Sequence, residues 1–324
     1  MATARSWRQG LDVSGPFPMR VDDVQALNKV FSDSFTDRYR RDGLVGVRVP
    51  MLNPSVWRYA IEDADGGAMI WRDERGDIAA FNVAHRSGTE GWMGPLAVRP
   101  DCQAMGLGKR VVQAGVDYVR SRGARVVGLE TMPRTLDNIG FYSALGFVPQ
   151  HLTLTLTIDA APAERTPTLF GRLRDLEKTE MLAQCDALVT SLAAGYDYRR
   201  EIELTDRLAL GDTALLLRGG AVAGFAVCHT IPLVEGRARE ELRVLKLVLA
   251  DESDLGEMVR ILADFARRGG TRRVAIRVQS EYDGVFQRLV ALRARVRWSD
   301  LRMSLAGFHE VRPASGVILS NWEI

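Results

Sequence analysis

One order of hydrophobic segments occurs twice in this chain of 324 residues. Each time, three strand-like runs precede an amphipathic helix, a buried strand, a second helix and a last strand-like run. The third run is GWMGPLAV (91–98) in the first half and LRVLKLVLA (242–250) in the second. A repeat at a separation of about 150 residues indicates an internal duplication. We therefore predict an α+β chain of two tandem domains, each a twisted, mostly antiparallel sheet flanked by helices.

A change of composition separates the two halves. The run IDAAPAERTPT (158–168) has two prolines, three alanines and no hydrophobic period, which is typical of an interdomain linker. The predicted domains are therefore residues 1–157 and 169–324.

Hydrophobic spacing predicts the elements of the first half. We expect a short strand at 19–21, a helix over 22–35 and a helix that Asn53 caps. Strand-like runs at 68–72, 78–85 and 91–98 are separated by turn residues, which favours antiparallel hairpins.

Charge and cysteine usage exclude several classes of protein. The net charge is +2 over residues 1–155 and zero over the remainder, so neither half has the basic excess of a nucleic-acid-binding domain. The three cysteines and four histidines are scattered, which predicts no metal site and no disulfide framework. The uncharged run 219–234 is too short and too interrupted by glycine and proline to cross a membrane. We therefore expect a cytoplasmic protein without membrane or nucleic-acid partners.

The segment GPLAVRPDCQAMGLGKRVVQAG (94–115) carries the clearest chemical signal. An apolar strand leads through a turn into a helix that begins near Gly106 and Gly108. Free amides at such a helix start, with Lys109 beside them, predict a cradle for a diphosphate. A Walker A loop is excluded because Arg110 follows Lys109, and the glycine spacing is not that of a dinucleotide-binding loop. A glycine-rich turn without a ligand is the alternative.

Two motifs together resemble the GCN5-related N-acetyltransferase (GNAT) family. Gln103-x-x-Gly106-x-Gly108, after a strand, is similar to the acyl-CoA-binding motif of the family. About thirty residues later, the run from Asn138 through Tyr142 to Gly146-Phe147 is similar to its second signature, with Tyr142 four residues after Asn138. The resemblance covers about residues 17–155. Because the order of elements repeats in the second half, the chain is identified as a tandem member of the family.

The resemblance implies an acetyl-CoA-dependent N-acetyltransferase that acetylates a primary amine of a small molecule or peptide directly. The pantetheine arm would lie between two strands that splay apart, and Tyr142 would protonate the departing thiolate. The residues implied in cofactor binding are Leu96, Val98, Gln103, Ala104, Gly106, Leu107, Gly108, Lys109 and Asn138. A non-catalytic, CoA-responsive binding or regulatory module is the alternative function.

The general base is less well marked than the acid. Glu130 ends the buried strand near the expected splay, and it is the predicted base. Glu90 and His85 are alternatives, as is a water molecule without any basic residue. Cys102 precedes the predicted cradle, but no histidine is paired with it, so a nucleophilic role is disfavoured.

The second half lacks both motifs. An acidic run, Asp251 to Glu257, replaces the glycine-rich loop, and four carboxylates there would repel a diphosphate. We therefore predict a degenerate GNAT-like domain that has lost CoA binding. It would pack against the first half, complete the acceptor cleft or form a homodimer interface.

Overall fold

The computed structural model describes residues 12–323. Within that range the chain forms thirteen strands and eight α-helices. The strands are β1 (Val13–Pro18), β2 (Ala68–Asp73), β3 (Ile78–Ser87), β4 (Glu90–Val98), β5 (Val126–Thr131), β6 (Phe147–Asp159), β7 (Thr168–Leu169), β8 (Gly211–Arg218), β9 (Ala221–His229), β10 (Glu241–Leu249), β11 (Arg273–Gln279), β12 (Arg295–Leu305) and β13 (Val317–Ser320). The helices are α1 (Val24–Arg41), α2 (Pro54–Asp63), α3 (Leu107–Ser121), α4 (Leu136–Ala144), α5 (Asp175–Leu192), α6 (Arg199–Arg207), α7 (Leu255–Arg268) and α8 (Asp283–Ala291).

All of these strands belong to one continuous sheet. Its order is β1-β2-β3-β4-β5-β12-β6-β11-β10-β9-β8-β7, and β13 pairs with β10 beside this path. Most pairs are antiparallel, and the parallel ones are β4 with β5 and β10 with β11. The repeated order of elements and the α+β class predicted from the sequence are therefore confirmed.

The two halves exchange their long strands at the centre of this sheet. Strand β12 of the second half lies between β5 and β6, where Leu301 pairs with Thr131 and also with Leu152. Strand β6 of the first half lies between β12 and β11, with Thr153 opposite Gln279. Each half therefore completes the sheet of the other, although the segment that joins them, 160–167, contains no regular structure.

Helices cover both faces of the first half. On one face, α3 buries Val112, Val116 and Val119 against β3, β4 and β5, as their spacing predicts. We call this the α3–α4 face. On the opposite face, α1 and α2 pack together around a hydrogen bond from Trp57 Nε1 to Asn28 Oδ1 (2.7 Å). Strand β5 therefore lies between two layers of helices.

The expected hairpins of the first half are confirmed, but its first strand is wrongly placed. Residues 21–23 form a 3₁₀ turn, and the strand lies earlier, at Val13–Pro18. Gly15 and Pro16 resemble turn residues in the sequence, but an edge strand tolerates proline because one side of its backbone needs no partner. No helix in residues 12–323 is long and apolar enough to cross a membrane.

A buried ion-pair cluster joins the halves beneath the exchanged strands. Arg302 of β12 binds Glu130 of β5 at 2.9 Å and Glu310 at 2.7 Å, and it is completely buried. Arg277 of β11 binds Glu130 at 2.6 Å and Asp300 at 3.0 Å. Buried charges are tolerated only when they are paired, so these contacts make each half depend on residues of the other.

Removing one cation from this cluster tests its contribution to stability. We expect Arg302→Met to lower the free energy of unfolding by about 3–5 kcal/mol, because buried carboxylates lose their counter-charge. Urea unfolding followed by circular dichroism measures the change. Arg218→Met is the matched control, since Arg218 also binds two carboxylates, Asp254 and Glu257, but at the surface. Equal losses in the two variants would contradict the assigned importance of burial.

The strand exchange also predicts how fragments behave. Residues 1–160 expressed alone lack β12, so β5 and β6 lose their common neighbour and expose unpaired edges. We expect aggregation or partial unfolding of this fragment, and a 1:1 complex when it is co-expressed with residues 161–324. Size-exclusion chromatography with light scattering distinguishes these outcomes. A folded, monomeric fragment would instead support the domain boundaries predicted from the sequence.

Candidate active site

Strands β4 and β5 separate from each other part of the way along their length. They pair in parallel from Glu90 with Val126 to Met93 with Leu129, and no pairing continues beyond this point in the described chain. Leu96 and Val98 lie on the diverging part of β4, which stays bonded to β3 through Leu96 and Asn82. We call the resulting gap the splay. It opens where the resemblance places a pantetheine arm.

Three consecutive backbone N–H groups lie free of helical hydrogen bonds at the start of α3, beside the splay. The N–H groups of Leu107, Gly108 and Lys109 have no acceptor within the helix, since the first helical bond runs from Arg110 N to Gly106 O. Gly106 takes a left-handed conformation (φ 77°), which its missing Cβ allows without strain. Free amides at a helix start, together with the helix dipole, are typical of an anion-binding site, and we call this group of amides the nest.

The approach to the nest is held in place by side-chain contacts. Ala104 has a left-handed conformation (φ 65°), which is uncommon for a residue with a Cβ. The side-chain amide of Gln103 donates to the Val98 carbonyl at 2.9 Å, which fixes the turn against the end of β4. The side chain of Lys109 is exposed, so it adds positive charge at the rim of the nest. The predicted cradle residues therefore lie together.

Helix α4 lines the other side of the splay. Asn138 Nδ2 donates to Thr131 Oγ1 at the end of β5 (3.3 Å), and Tyr142 lies one turn later on the same helix. The ring of Tyr142 packs between those of Phe141 and Phe147, and no hydrogen-bond partner for its hydroxyl is present among residues 12–323. Burial raises the pKa of Tyr142 well above its ordinary value, so the phenol keeps its proton at neutral pH.

Glu130 is brought to the splay but is fully engaged there. Its carboxylate accepts from Thr153, Arg277 and Arg302, and its side chain has almost no exposed surface. Burial alone would favour the neutral acid, but the two guanidinium groups hold the pKa of Glu130 below its usual value. A carboxylate in this setting is a poor proton acceptor. The structure therefore argues against the base role predicted for Glu130.

The two alternative bases are also buried. Glu90 accepts from Trp322 Nε1 at 2.7 Å and from the Tyr198 hydroxyl at 3.1 Å. His85 bonds Asp63 through Nδ1 at 2.6 Å and stacks on Trp92 with ring centroids 3.9 Å apart. Neither side chain has measurable exposure, so neither can meet an amine that enters from solvent.

The remaining chemical candidate, Cys102, is placed as expected. It is buried at the turn before the nest, and burial raises the pKa of its thiol. The thiolate is the reactive form of cysteine, so this environment opposes a nucleophilic role.

In the second half, the chain itself fills the corresponding gap. Strands β10 and β11 pair only from Glu241 to Arg243, and β13 then pairs with Lys246 to Leu249 of β10. At the start of α7, Arg218 binds both Asp254 and Glu257. The second half thus has neither an open splay nor a free nest, which explains physically why it resembles a degenerate domain.

Comparisons with known proteins agree with this geometry. Residues 27–147 match the family model described as the acetyltransferase (GNAT) family. A chloroplastic serotonin N-acetyltransferase 2 of Oryza sativa subsp. japonica is 28% identical over 125 residues. Those residues are 39% of this chain and 56% of the relative, so the match spans only about half of that protein.

Two solved structures are similar over nearly the whole chain. A tandem GNAT protein from the clavulanic acid biosynthesis pathway aligns with 90% of this chain and 98% of its own, with a TM-score of 0.59 and 11% identity. The N-myristoyltransferase of Saccharomyces cerevisiae, solved with myristoyl-CoA, aligns with 94% of this chain and 84% of its own, with a TM-score of 0.63 and 10% identity. At such identities the likeness shows a shared fold.

The sequence predicted the nest and α4 but missed what the second half brings to the site. Trp322 lies against β5, and Arg277 and Arg302 reach Glu130 from strands more than 140 residues away in the sequence. No local motif marks these residues. The only signal in the sequence is the apolar run VILSNW near the end of the chain.

Gly108 provides a direct test of the nest. An added Cβ would lie 3.3 Å from Phe141 Cζ, and an aspartate would place an anion among the amides. We expect Gly108→Asp to weaken CoA binding by more than about tenfold, measured by isothermal titration calorimetry. Gly256→Asp is the matched control, because Gly256 is likewise the second residue of its helix, in the second half. Equal weakening by both changes would contradict the assignment.

Proposed function

We propose that this protein transfers an acetyl group from acetyl-CoA to a primary amine, because residues 27–147 match the GNAT acetyltransferase family model. The amine belongs to a small molecule or a peptide. The observation that carries the proposal is the open splay between β4 and β5, which leads from the anion nest at α3 to Tyr142 on α4.

The donor is proposed to bind along this path. Its diphosphate would accept hydrogen bonds from the amides between Gln103 and Lys109, and the pantetheine arm would take the place of strand pairing beside Leu96 and Val98. Asn138, on the far side of the splay, would contact the arm. The yeast neighbour of the same fold was solved with a CoA thioester, which supports an acyl-CoA donor.

The acetyl group is proposed to pass directly from the thioester to the amine, without an acyl-enzyme intermediate. The amine nitrogen attacks the thioester carbonyl, and backbone amides of β4 that face the splay stabilise the developing oxyanion. The carbon–sulfur bond then breaks, and the Tyr142 hydroxyl protonates the thiolate of CoA. The raised pKa of Tyr142 supports this role, because the group must hold its proton until the thiolate forms.

The acceptor is proposed to enter from the face opposite α3 and α4. On that face Tyr39 of α1 is half-buried, and burial together with the charges of Glu323 and Asp300 raises the pKa of its hydroxyl. The relative from rice is named for an aromatic amine, which makes arylalkylamines the first class to test. The three cysteines in the described chain are free, in keeping with the reducing cytoplasm that we propose as its compartment.

Calorimetry with acetyl-CoA tests the donor site of the full-length protein. We expect one binding site per chain, because β13 fills the gap in the second half. Two sites would show that the acidic loop of the second half also binds CoA. The absence of binding would overturn the acyltransferase proposal.

Turnover tests the enzymatic proposal against the CoA-responsive binding module. We expect acetylation of at least one member of a panel of serotonin, spermidine, glucosamine and a lysine-containing peptide, detected as free CoA thiol. Binding of acetyl-CoA without turnover of any amine would favour the binding module.

Tyr142→Phe isolates the acid step. Loss of the hydroxyl should lower kcat by about 10²-fold, because the thiolate then leaves without a proton, while acetyl-CoA affinity stays near wild type. Steady-state kinetics and calorimetry measure the two effects. Tyr118→Phe is the control, since that hydroxyl bonds the carbonyls of Ala64 and Asp65 away from the splay. An unchanged kcat in Tyr142→Phe would exclude the acid role.

A further inference from the structure

The segment after β13 crosses from the second half to the splay of the first. Asn321 N donates to Leu245 O at 2.9 Å, which continues the alignment with β10. The ring of Trp322 then packs on β5 at Gly128, where an added Cβ would lie only 2.2 Å from it. Arg302 stacks on the other side of this ring, 3.8 Å from its centroid. Residue 322 is therefore held firmly between the two halves.

The next residue, Glu323, lies at the mouth of the splay. A Cβ added to Gly94 would lie 3.4 Å from the Trp322 carbonyl oxygen, which belongs to the peptide bond that leads into Glu323. Gly94 is the first residue of β4 beyond its pairing with β5. Trp322 packs on the face that carries Glu130, so Glu323 approaches the splay from the side opposite Tyr142.

Glu323 is both anchored and accessible. Its Oε2 atom binds Arg277 Nη1 at 2.7 Å, and its backbone N–H donates to Asn321 Oδ1 at 3.0 Å. Solvent still reaches 48% of the side chain. The side chains of Glu130, Glu90 and His85 are all buried. Of the acids and histidines discussed at this site, Glu323 is thus the one that a substrate from solvent can touch.

The charges that face Glu323 come from four strands and one helix. They are Glu130 on β5, Arg243 on β10, Arg277 on β11, Asp300 on β12 and Tyr39 on α1. Burial of part of the side chain, together with the charges of Asp300 and Glu130, outweighs the attraction of the two arginines and raises the pKa of Glu323 to about 7. A carboxylate with such a pKa can both take up and release a proton near neutral pH.

We propose that Glu323, supplied by the second half of the chain, is the general base that deprotonates the acceptor amine; this inference rests on the proposed acetyl transfer. The ammonium group of the acceptor gives one proton to the Glu323 carboxylate, and the freed lone pair forms the bond to the thioester carbon. The carbon–sulfur bond breaks, its electron pair stays on sulfur, and the thiolate takes the proton of Tyr142. The nitrogen loses its second proton as the amide forms, which restores the phenol. Glu323 then releases its proton to solvent, so CoA thiol, amide and one proton are the products.

This arrangement gives the degenerate half a function in the reaction. Strand β13 fills the second splay, and by doing so it directs the following residues to the first. The two halves thus contribute the two proton-transfer groups, Tyr142 and Glu323, from opposite faces of one sheet. The active site is incomplete without the second half.

The test is the pH dependence of kcat/KM for the amine that the wild-type protein acetylates fastest, measured between about pH 5.5 and 9. We expect the wild-type profile to rise with pH through an inflection near the raised pKa of Glu323, about 7, because the base must lose its proton. Glu323→Gln should lower kcat/KM by about 10²-fold and remove that inflection. Glu323→Asp keeps a carboxylate and should retain the inflection with a smaller loss. Because wild type and variants are measured with the same amine, ionisation of the substrate affects every pH profile equally, and the differences between profiles report on residue 323.

Two measurements separate catalysis from structure. Acetyl-CoA affinity and the melting temperature of Glu323→Gln should remain near those of wild type, because the amide can still accept from Arg277. Glu252→Gln is the matched control, since Glu252 also faces two arginines, Arg288 and Arg312, but far from the splay. Its profile should equal that of wild type.

The outcomes distinguish this inference from the function on which it rests. Amine acetylation that Glu323→Gln leaves unchanged, with the inflection intact, overturns the base role and leaves the acetyltransferase proposal standing. A lower rate with the inflection intact also overturns it, since a purely structural role has that effect. Failure of the wild-type protein to acetylate any amine overturns both.

Discussion

The antiparallel pairing of β6 with β12 is the constraint on which the rest of the molecule depends. Each of these strands belongs by sequence to one half and completes the sheet of the other, so neither half has a finished sheet alone. Because β12 also pairs with β5, Arg302 lies opposite Glu130, and β11, on the other side of β6, brings Arg277 within 2.6 Å of the same carboxylate. A buried cluster of this kind is stable only while all its members are present, which couples folding of the two halves.

The same cluster shapes the chemistry of the splay. Glu130 is placed where a general base would be useful, but two guanidinium groups lower its pKa, which opposes proton uptake near neutral pH. Arg277 also holds Glu323, which reaches beyond the cluster to solvent. Position within the cluster therefore decides which carboxylate supports the structure and which one we propose for proton transfer.

The two halves use one topology in different ways. In the first half, β4 and β5 diverge and leave a gap beside free amides at the start of α3. In the second half, β13 occupies the gap, and Arg218 neutralises the acidic start of α7. In the second half, β13 provides hydrogen-bond partners for the backbone N–H and C=O groups of β10. These groups therefore need no ligand in the gap.

The sequence by itself determined the repeated order of elements, the nest and the helix that carries Asn138 and Tyr142. These features depend on residues within one or two turns of each other, and local spacing encodes them directly. Only the tertiary structure decided that β6 and β12 change places, that two arginines hold Glu130 as a carboxylate, and that Glu323 lies beside Arg277 near the splay. Each of these depends on contacts between residues more than a hundred positions apart. Hydrophobic periodicity shows that a strand is buried but not which neighbour buries it. No local pattern could therefore have revealed the strand exchange or the contacts of Glu130 and Glu323.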